Sequence, residues 1–170
     1  MSDSQNWQAA FLKQARSDWE AYEKTAEFEW PFCHRLHYLQ MATEKLGKAL
    51  LIVGDHELEN LKGSHAAFVK LIRVVSNNRK LQKVLGIKKS QQRAQFKTLL
   101  PLAHAVEALA PALAQNGPNP EYPWKDVSGN ILAPADYPFP LMKRLHKTPQ
   151  GIQLLKYVDF FVKRFEQLFL

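Results

Sequence analysis

The 170-residue chain lacks most of the motifs that would assign it a catalytic chemistry. Its single cysteine, Cys33, excludes an intramolecular disulfide and a cysteine-based zinc site. It has no glycine-rich phosphate loop, no G-x-S-x-G elbow and no paired-carboxylate motif. No uncharged apolar stretch reaches the ~18 residues that span a bilayer, and MSDSQNW does not resemble a signal peptide. We therefore expect a cytoplasmic protein with no membrane association.

Carboxylates are missing altogether from residues 60–106. This block holds 10 basic side chains, whereas residues 1–59 hold 6 basic and 10 acidic ones, and the whole chain has a net charge of +7. Such a block cannot neutralise its own charge, so it should attract polyanions or an acidic partner. The candidate nucleic-acid-binding residues are Lys70, Arg73, Arg79, Lys80, Lys83, Lys88, Lys89, Arg93 and Lys97.

Aromatic residues are scarce in the same block, where only Phe68 and Phe96 occur, both within apolar patterns. Surfaces that stack bases interleave aromatic with basic residues. We therefore expect contacts with phosphate backbones that depend little on base sequence. For any single basic residue, a solvated position without a ligand is an equally open interpretation.

Apolar residues recur at helical spacing along most of the chain, which predicts an all-α fold. The longest pattern covers residues 32–54 and predicts the central helix. A first helix is predicted at 6–27 with Ser4 as cap, and a final one from Thr148 and Pro149 to 169. Helices capped by Ser64 and Ser90 and a short one from Arg79 complete the pattern. Pro101 and Pro111 predict a kink or break near Leu100 in the run from 91 to 114.

Residues 116–140 differ from the rest because they contain 6 of the 10 prolines together with several aromatic residues. This composition is too apolar for a disordered linker. Ser128-Gly129-Asn130 predicts the turn of a small hairpin. We expect one domain over residues 1–170, built of about five main antiparallel helices, with 116–140 as an ordered loop or small hairpin before the last helix.

A line of polar residues runs along the central helix, formed by His37, Gln40, Glu44 and Lys48 at helical spacing. One interpretation is a solvated face with a Glu44–Lys48 pair. The other is a polar seam at a dimer interface or cleft.

The segment MATEKLGKALLIVGDHELENLKGSHAAFVKLI resembles the core of HEPN domains, in which an A-x-x-E-K-x-x-K-A-L-L helix is followed by a loop and a helix opening with His, here His65. The resemblance covers about residues 15–75. It implies an antiparallel helical bundle, a homodimer and the binding of RNA or nucleotides. It also implies a nucleotidyltransferase or another operon-encoded partner, within a toxin–antitoxin or phage-defence system.

Catalytic HEPN domains are metal-independent ribonucleases with an R-x4–6-H motif, which this chain lacks. Its nearest pairs, Arg35-Leu36-His37 and Arg144-Leu145-His146, place Arg and His on opposing sides of a helix. We therefore expect a non-catalytic or weakly catalytic module, although Arg and His from different helices or subunits could still converge. The weak catalytic candidates are Arg35, His37, Glu44 and His65. A ribonuclease with a composite Arg/His site and a purely structural interaction scaffold are the alternatives.

Histidines offer little evidence for a metal site. His34-x-x-His37 could supply two ligands, but no H-E-x-x-H or E-x-x-H repeat accompanies it. We expect no metal and no cofactor.

Overall fold

The computed structural model describes residues 2–52, 61, 63, 65–115 and 117–170. Within these residues the chain forms α1 (Asp3–Lys24), α2 (Phe32–Leu51), α3 (Ala67–Val75), α4 (Arg79–Leu85), α5 (Lys89–Glu107), β1 (Trp124–Lys125), β2 (Ile131–Leu132), a 3-10 turn (Pro134–Asp136), α6 (Pro140–Lys147) and α7 (Pro149–Phe169). The all-α prediction is confirmed. None of the described helices combines the length and the apolar composition that crossing a bilayer requires.

Helix α2 lies at the centre of the bundle, as its apolar stripe predicts. It packs against α1, α3, α5 and α7, and it buries Leu39, Leu46 and Ala49 almost completely. Helices α1 and α2 are antiparallel, since Gln8 Nε2 donates to the Ala49 carbonyl at one end of the pair while Arg35 lies over the Tyr22 ring at the other.

The ends of the long helices follow from their capping side chains. Helix α1 begins earlier than predicted because Ser2, not Ser4, accepts a hydrogen bond from the Gln5 N–H in a capping box. Helix α7 begins as predicted, with the Thr148 hydroxyl accepting from the Gly151 N–H and proline in the first turn.

Of the kink or break predicted near Leu100, the break is wrong. Helix α5 continues through Pro101 and ends at Glu107, short of residue 114. Proline removes the N–H that would bond the carbonyl four residues earlier, that of Lys97. Both Pro101 and Lys97 are exposed, so water can reach that carbonyl. The helix also starts earlier than predicted, because Lys88 rather than Ser90 occupies its N-cap.

The region before the last helix contains both a predicted and an unpredicted element. The two short strands pair antiparallel with Trp124 opposite Leu132, at the position that the turn residues predict. Helix α6 was not predicted. It is only eight residues long, and three of them, Leu141, Met142 and Leu145, face the core. An apolar pattern this short, next to prolines, does not predict a helix.

Two predicted helix boundaries lie outside the described residues. These are the end of the central helix at Gly54 and the cap at Ser64. Helix α2 itself ends at Leu51, earlier than predicted, with Ile52 in an extended conformation, and Ala66 occupies the N-cap of α3.

Gly47 allows α2 and α3 to approach closely, because a Cβ at this position would collide with the backbone of Ala67. We expect Gly47→Ala to reduce the free energy of unfolding by roughly 2 kcal/mol, since a backbone clash cannot be relieved by a rotamer change. This loss outweighs the ~1 kcal/mol that alanine gains over glycine in a helix. Urea denaturation measures the change.

Gly117→Ala is the matched control, because a Cβ there would meet no atom within 4 Å. It should change the free energy of unfolding by less than about 0.5 kcal/mol. Equal effects of the two substitutions would contradict the close approach of α2 and α3.

Candidate functional site

The nine candidate nucleic-acid-binding residues lie on α3, α4 and α5 and on the turn before α5, and all of them are exposed. We call this set the cationic face. The same helices turn Leu81, Phe96 and Leu99 into the core, where they are fully buried. Charged and apolar residues therefore recur at helical spacing, so each helix has one charged, exposed side and one apolar side that packs in the core.

Buried polar side chains hold the three helices of the cationic face together. The Gln92 amide of α5 donates to the Val75 carbonyl at 2.6 Å and to the Asn78 carbonyl at 3.1 Å. Asn78 in turn caps α4 by accepting from the Leu81 N–H at 2.8 Å. The turn between α3 and α4 is thus fixed against α5, which gives the exposed cations a rigid base.

A cavity of about 400 Å³ opens within the cationic face. Its charged lining is Arg79, Lys83 and Lys89, and Gly86, which adopts a φ of 63°, ends α4 beside it. Among the described residues, no carboxylate forms an ion pair with any of the nine cations. Their charge is therefore available to an external anion.

The polar line on α2 is largely buried. Glu44 accepts hydrogen bonds from Gln40 Nε2 and Lys48 Nζ, both at 2.7 Å, and His65 Nδ1 lies 3.0 Å from its carboxylate. Gln40 and Lys48 are only 3% and 5% exposed. The solvated-face interpretation is therefore wrong for these two residues, and His65 contacts the same side of α2 at Glu44.

Two carboxyl groups near this contact differ in their acidity. Burial alone would raise the pKa of Glu44, but hydrogen bonds from Lys48, His65 and Gln40 and the charge of Lys48 outweigh it, so the pKa lies below its ordinary value. Burial raises the pKa of Glu107, although this group accepts from the Val69 N–H at 3.1 Å. Glu44 is thus an ionised, internally bonded carboxylate.

The four weak catalytic candidates do not form one site. Glu44 and His65 contact each other, whereas His37 contacts Glu121 at 3.1 Å. Arg35 lies elsewhere, with its guanidinium carbon 5.3 Å from the centre of the Tyr22 ring. In the part of the chain that the structure describes, no three His, Cys, Asp or Glu side chains cluster as metal ligands would.

Arg35 instead approaches His146, a residue that sequence spacing had paired with Arg144. The Tyr22 hydroxyl lies 3.0 Å from His146 Nε2, so Tyr22 links the two basic groups. Burial raises the pKa of Tyr22 to about 12. Burial, followed by the charges of Arg35 and Lys147, lowers the pKa of His146. Tyr22 therefore stays protonated, and its hydroxyl shares a hydrogen bond with Nε2 of a neutral imidazole.

Sequence reasoning missed Tyr22 and His146 as site residues. Tyr22 belongs to the apolar stripe of α1, which predicts only a core position. His146 is separated from Tyr22 by 124 positions, so no local spacing relates the two.

The Glu44 contacts give a testable dependence of stability on pH. Because the folded pKa of Glu44 lies below its ordinary value of about 4.3, its stabilising contribution is present above that pH and is lost as pH falls through the folded pKa. We expect Glu44→Gln to cost about 2 kcal/mol at pH 7, the range for hydrogen bonds to a charged group. The cost should shrink near pH 3.5.

Urea denaturation at the two pH values measures this difference, with the exposed Glu20→Gln as control. An equal cost for Glu44→Gln at pH 7 and pH 3.5 would show that the ionised carboxylate does not contribute to stability.

Comparison of the chain with protein-family models, with curated proteins and with solved structures gives no match. The HEPN-like fold and function that residues 15–75 imply therefore stay a prediction. A proposal of function rests instead on the geometry of the sites.

Proposed function

We propose that the protein binds RNA, or another nucleic acid, through contacts between the cationic face and the phosphate backbone. One observation carries this proposal: nine exposed cations are grouped on three consecutive helices whose block of sequence contains no carboxylate. Each neutralised phosphate releases condensed counterions, which supplies most of the free energy of non-specific binding.

The chemistry of the cationic face favours the phosphate backbone over bases. Its exposed apolar side chains, Val74 and Val84, are aliphatic and offer no ring on which a base could stack. The cavity between Arg79, Lys83 and Lys89 can surround a phosphate with three cations. Binding is accordingly tight at low salt and insensitive to base sequence.

We further infer that the bundle is HEPN-like and forms a homodimer. The HEPN-like fold is supported by α2, which carries the E-K-x-x-K-A-L-L pattern, and by His65, which precedes α3 and contacts Glu44. Dimerisation is supported by apolar side chains exposed on the hairpin, Val127 and Ile131. Light scattering that finds only monomer at high concentration would contradict it. An operon-encoded partner such as a nucleotidyltransferase, in a toxin–antitoxin or defence system, fits the same resemblance.

Reversing four charges of the cationic face tests the binding proposal. We expect the combined variant Lys80→Glu, Lys83→Glu, Lys88→Glu and Lys89→Glu to lose detectable affinity for a generic single-stranded RNA, with an unchanged helical circular dichroism spectrum. For the wild type, log K should fall linearly with log salt, by about 0.9 for each phosphate neutralised on a duplex and somewhat less on a single strand. Fluorescence anisotropy over a salt series measures both quantities.

The matched control reverses four exposed lysines outside the cationic face: Lys13, Lys24, Lys125 and Lys156. It has the same net charge as the test variant, so equal losses of affinity would mean that net charge, and not this face, binds the RNA. If the wild type shows no salt-sensitive affinity at low ionic strength, the scaffold alternative becomes the better one.

The ribonuclease alternative requires an Arg and a His at one phosphate. Arg35 and His146, which line one cavity, are a pair that could meet this requirement. Incubation of RNA with the protein in EDTA tests it. Cleavage that disappears in His146→Ala while RNA binding persists would favour a ribonuclease, whereas intact RNA in all samples would favour a binding protein.

A further inference from the structure

A second cationic cavity, of about 300 Å³, lies where the start of α2 meets α6. We call it the Arg35 pocket. Its basic lining consists of Arg35, Lys143, His146 and Lys147. Its apolar lining consists of Phe32, Pro138 and Met142, and no carboxylate lines it. The pocket therefore combines a positive side with an apolar wall.

Two basic groups of the Arg35 pocket, Arg35 and His146, are held in place by the core. Trp19 stacks on Tyr22, with ring centres 4.9 Å apart, and its indole N–H donates to Asp159 at 3.0 Å. Tyr22 in turn positions Arg35 and His146. Their geometry is thus set before any ligand arrives, which lowers the entropic cost of binding.

Arg35 has an unmet hydrogen-bonding need. Its Nε is buried and has no acceptor among the described residues. A buried donor without an acceptor costs about 1–3 kcal/mol, and more when it is charged. An anion in the pocket would give the guanidinium hydrogen-bond acceptors and a compensating negative charge.

The charges in the pocket favour a ligand with an anionic group. Arg35, Lys143 and Lys147 supply the basic side chains, and His146 can add a further positive charge. A phosphate monoester carries about −1.5 to −2 charges at pH 7 and offers three acceptor oxygens. Arginine matches such a group through two parallel hydrogen bonds.

The apolar wall favours a ligand that also carries a planar ring. Phe32 is 45% exposed at the pocket, and Trp30 and Phe28, which stack on each other at 5.8 Å, are exposed just before it in the chain. Exposed rings of this kind favour a planar partner. The volume lies at the small end of the roughly 300–1,000 Å³ found for ligand pockets.

We propose that the Arg35 pocket binds a nucleoside monophosphate, either free or as the 5′-phosphorylated end of a strand. Its phosphate contacts Arg35, His146 and Lys147, and its base lies against Phe32. The proposal does not depend on RNA binding by the cationic face.

The two sites lie toward opposite ends of α7. Asn78, at the start of α4, donates to the Leu168 carbonyl at 3.5 Å, whereas His146 lies just before the first residue of α7. At 1.5 Å per residue, this helix is about 30 Å long along its course, which is kinked at Arg164. Substitutions at one site therefore leave the other unperturbed.

Binding at the Arg35 pocket takes up a proton. The groups around His146 are Tyr22 on α1, Arg35 on α2, and Lys143 and Lys147 on α6, and the positive charges of Arg35 and Lys147 help to hold its pKa down. A phosphate offsets these charges and raises the pKa of His146. Protonation of His146 therefore favours binding as pH falls, whereas protonation of the phosphate, whose second pKa is about 6, opposes it. His146→Asn keeps only the second effect, so the ratio of wild-type to variant affinity should rise as pH falls toward 6.

Isothermal titration calorimetry with adenosine 5′-monophosphate, inorganic phosphate and adenosine tests the proposal. We expect adenosine 5′-monophosphate to bind at least 10-fold more tightly than inorganic phosphate and than adenosine. Arg35→Ala and, separately, Lys147→Ala should each weaken it about 10-fold, whereas Arg144→Ala, a neighbouring cation on α6 outside the pocket lining, should not. Lys147 is exposed, so Lys147→Ala tests the site even where Arg35→Ala fails to fold.

Three outcomes would overturn the proposal: no heat with the monophosphate at millimolar concentration, equal affinity for inorganic phosphate, or equal losses in Lys147→Ala and Arg144→Ala.

The source of the nucleotide is then distinguished in the background of the four Lys→Glu substitutions, which reverse four charges of the cationic face. Tighter binding of a 5′-phosphorylated than of a 5′-hydroxyl oligonucleotide supports a strand end. Binding of the free nucleotide without that difference supports a free ligand.

Discussion

The close contact between α2 and the start of α3 is the constraint on which the arrangement of the chain depends. Gly47 leaves no room for a side chain against Ala67, and Glu44, one turn earlier, receives hydrogen bonds from its own helix while His65 contacts it from the segment before α3. A buried carboxylate is tolerated only with such partners. The charged contact therefore fixes where the chain returns to α2, and the apolar packing of α3 follows from that position.

The helices that could be predicted are the ones with long apolar stripes, because period and length are both local properties of a sequence. This holds for α1, α2 and α7. The course of α5 through Pro101 could not be predicted, since it depends on which side of the helix faces water. Helix α6 was missed because eight residues give too few turns for a recognisable period.

The candidate sites also differ in how far the sequence predicts them. The cationic face could be predicted because uncompensated charges are seldom buried, so a block without carboxylates is exposed in any fold. For the polar line on α2 the sequence left a solvated face and a polar seam both open, because helical spacing shows which residues share a side, and not whether another element covers that side. The Arg35 pocket was missed because its lining comes from α2 and α6, and only tertiary packing brings Tyr22 of α1 to His146.

The cationic face and the Arg35 pocket make different physical demands on a ligand. The cations of the face are exposed, so their attraction to phosphates is screened by salt over about 8 Å at physiological ionic strength. Arg35 and His146 are partly buried against Tyr22, where screening is weaker and each hydrogen bond counts for more. Rising salt should therefore weaken attachment of a polyanion to the face well before it displaces a small phosphate ester from the pocket. A strand held only by its backbone would dissociate first, and a ligand that remains bound must owe its affinity to the Arg35 pocket.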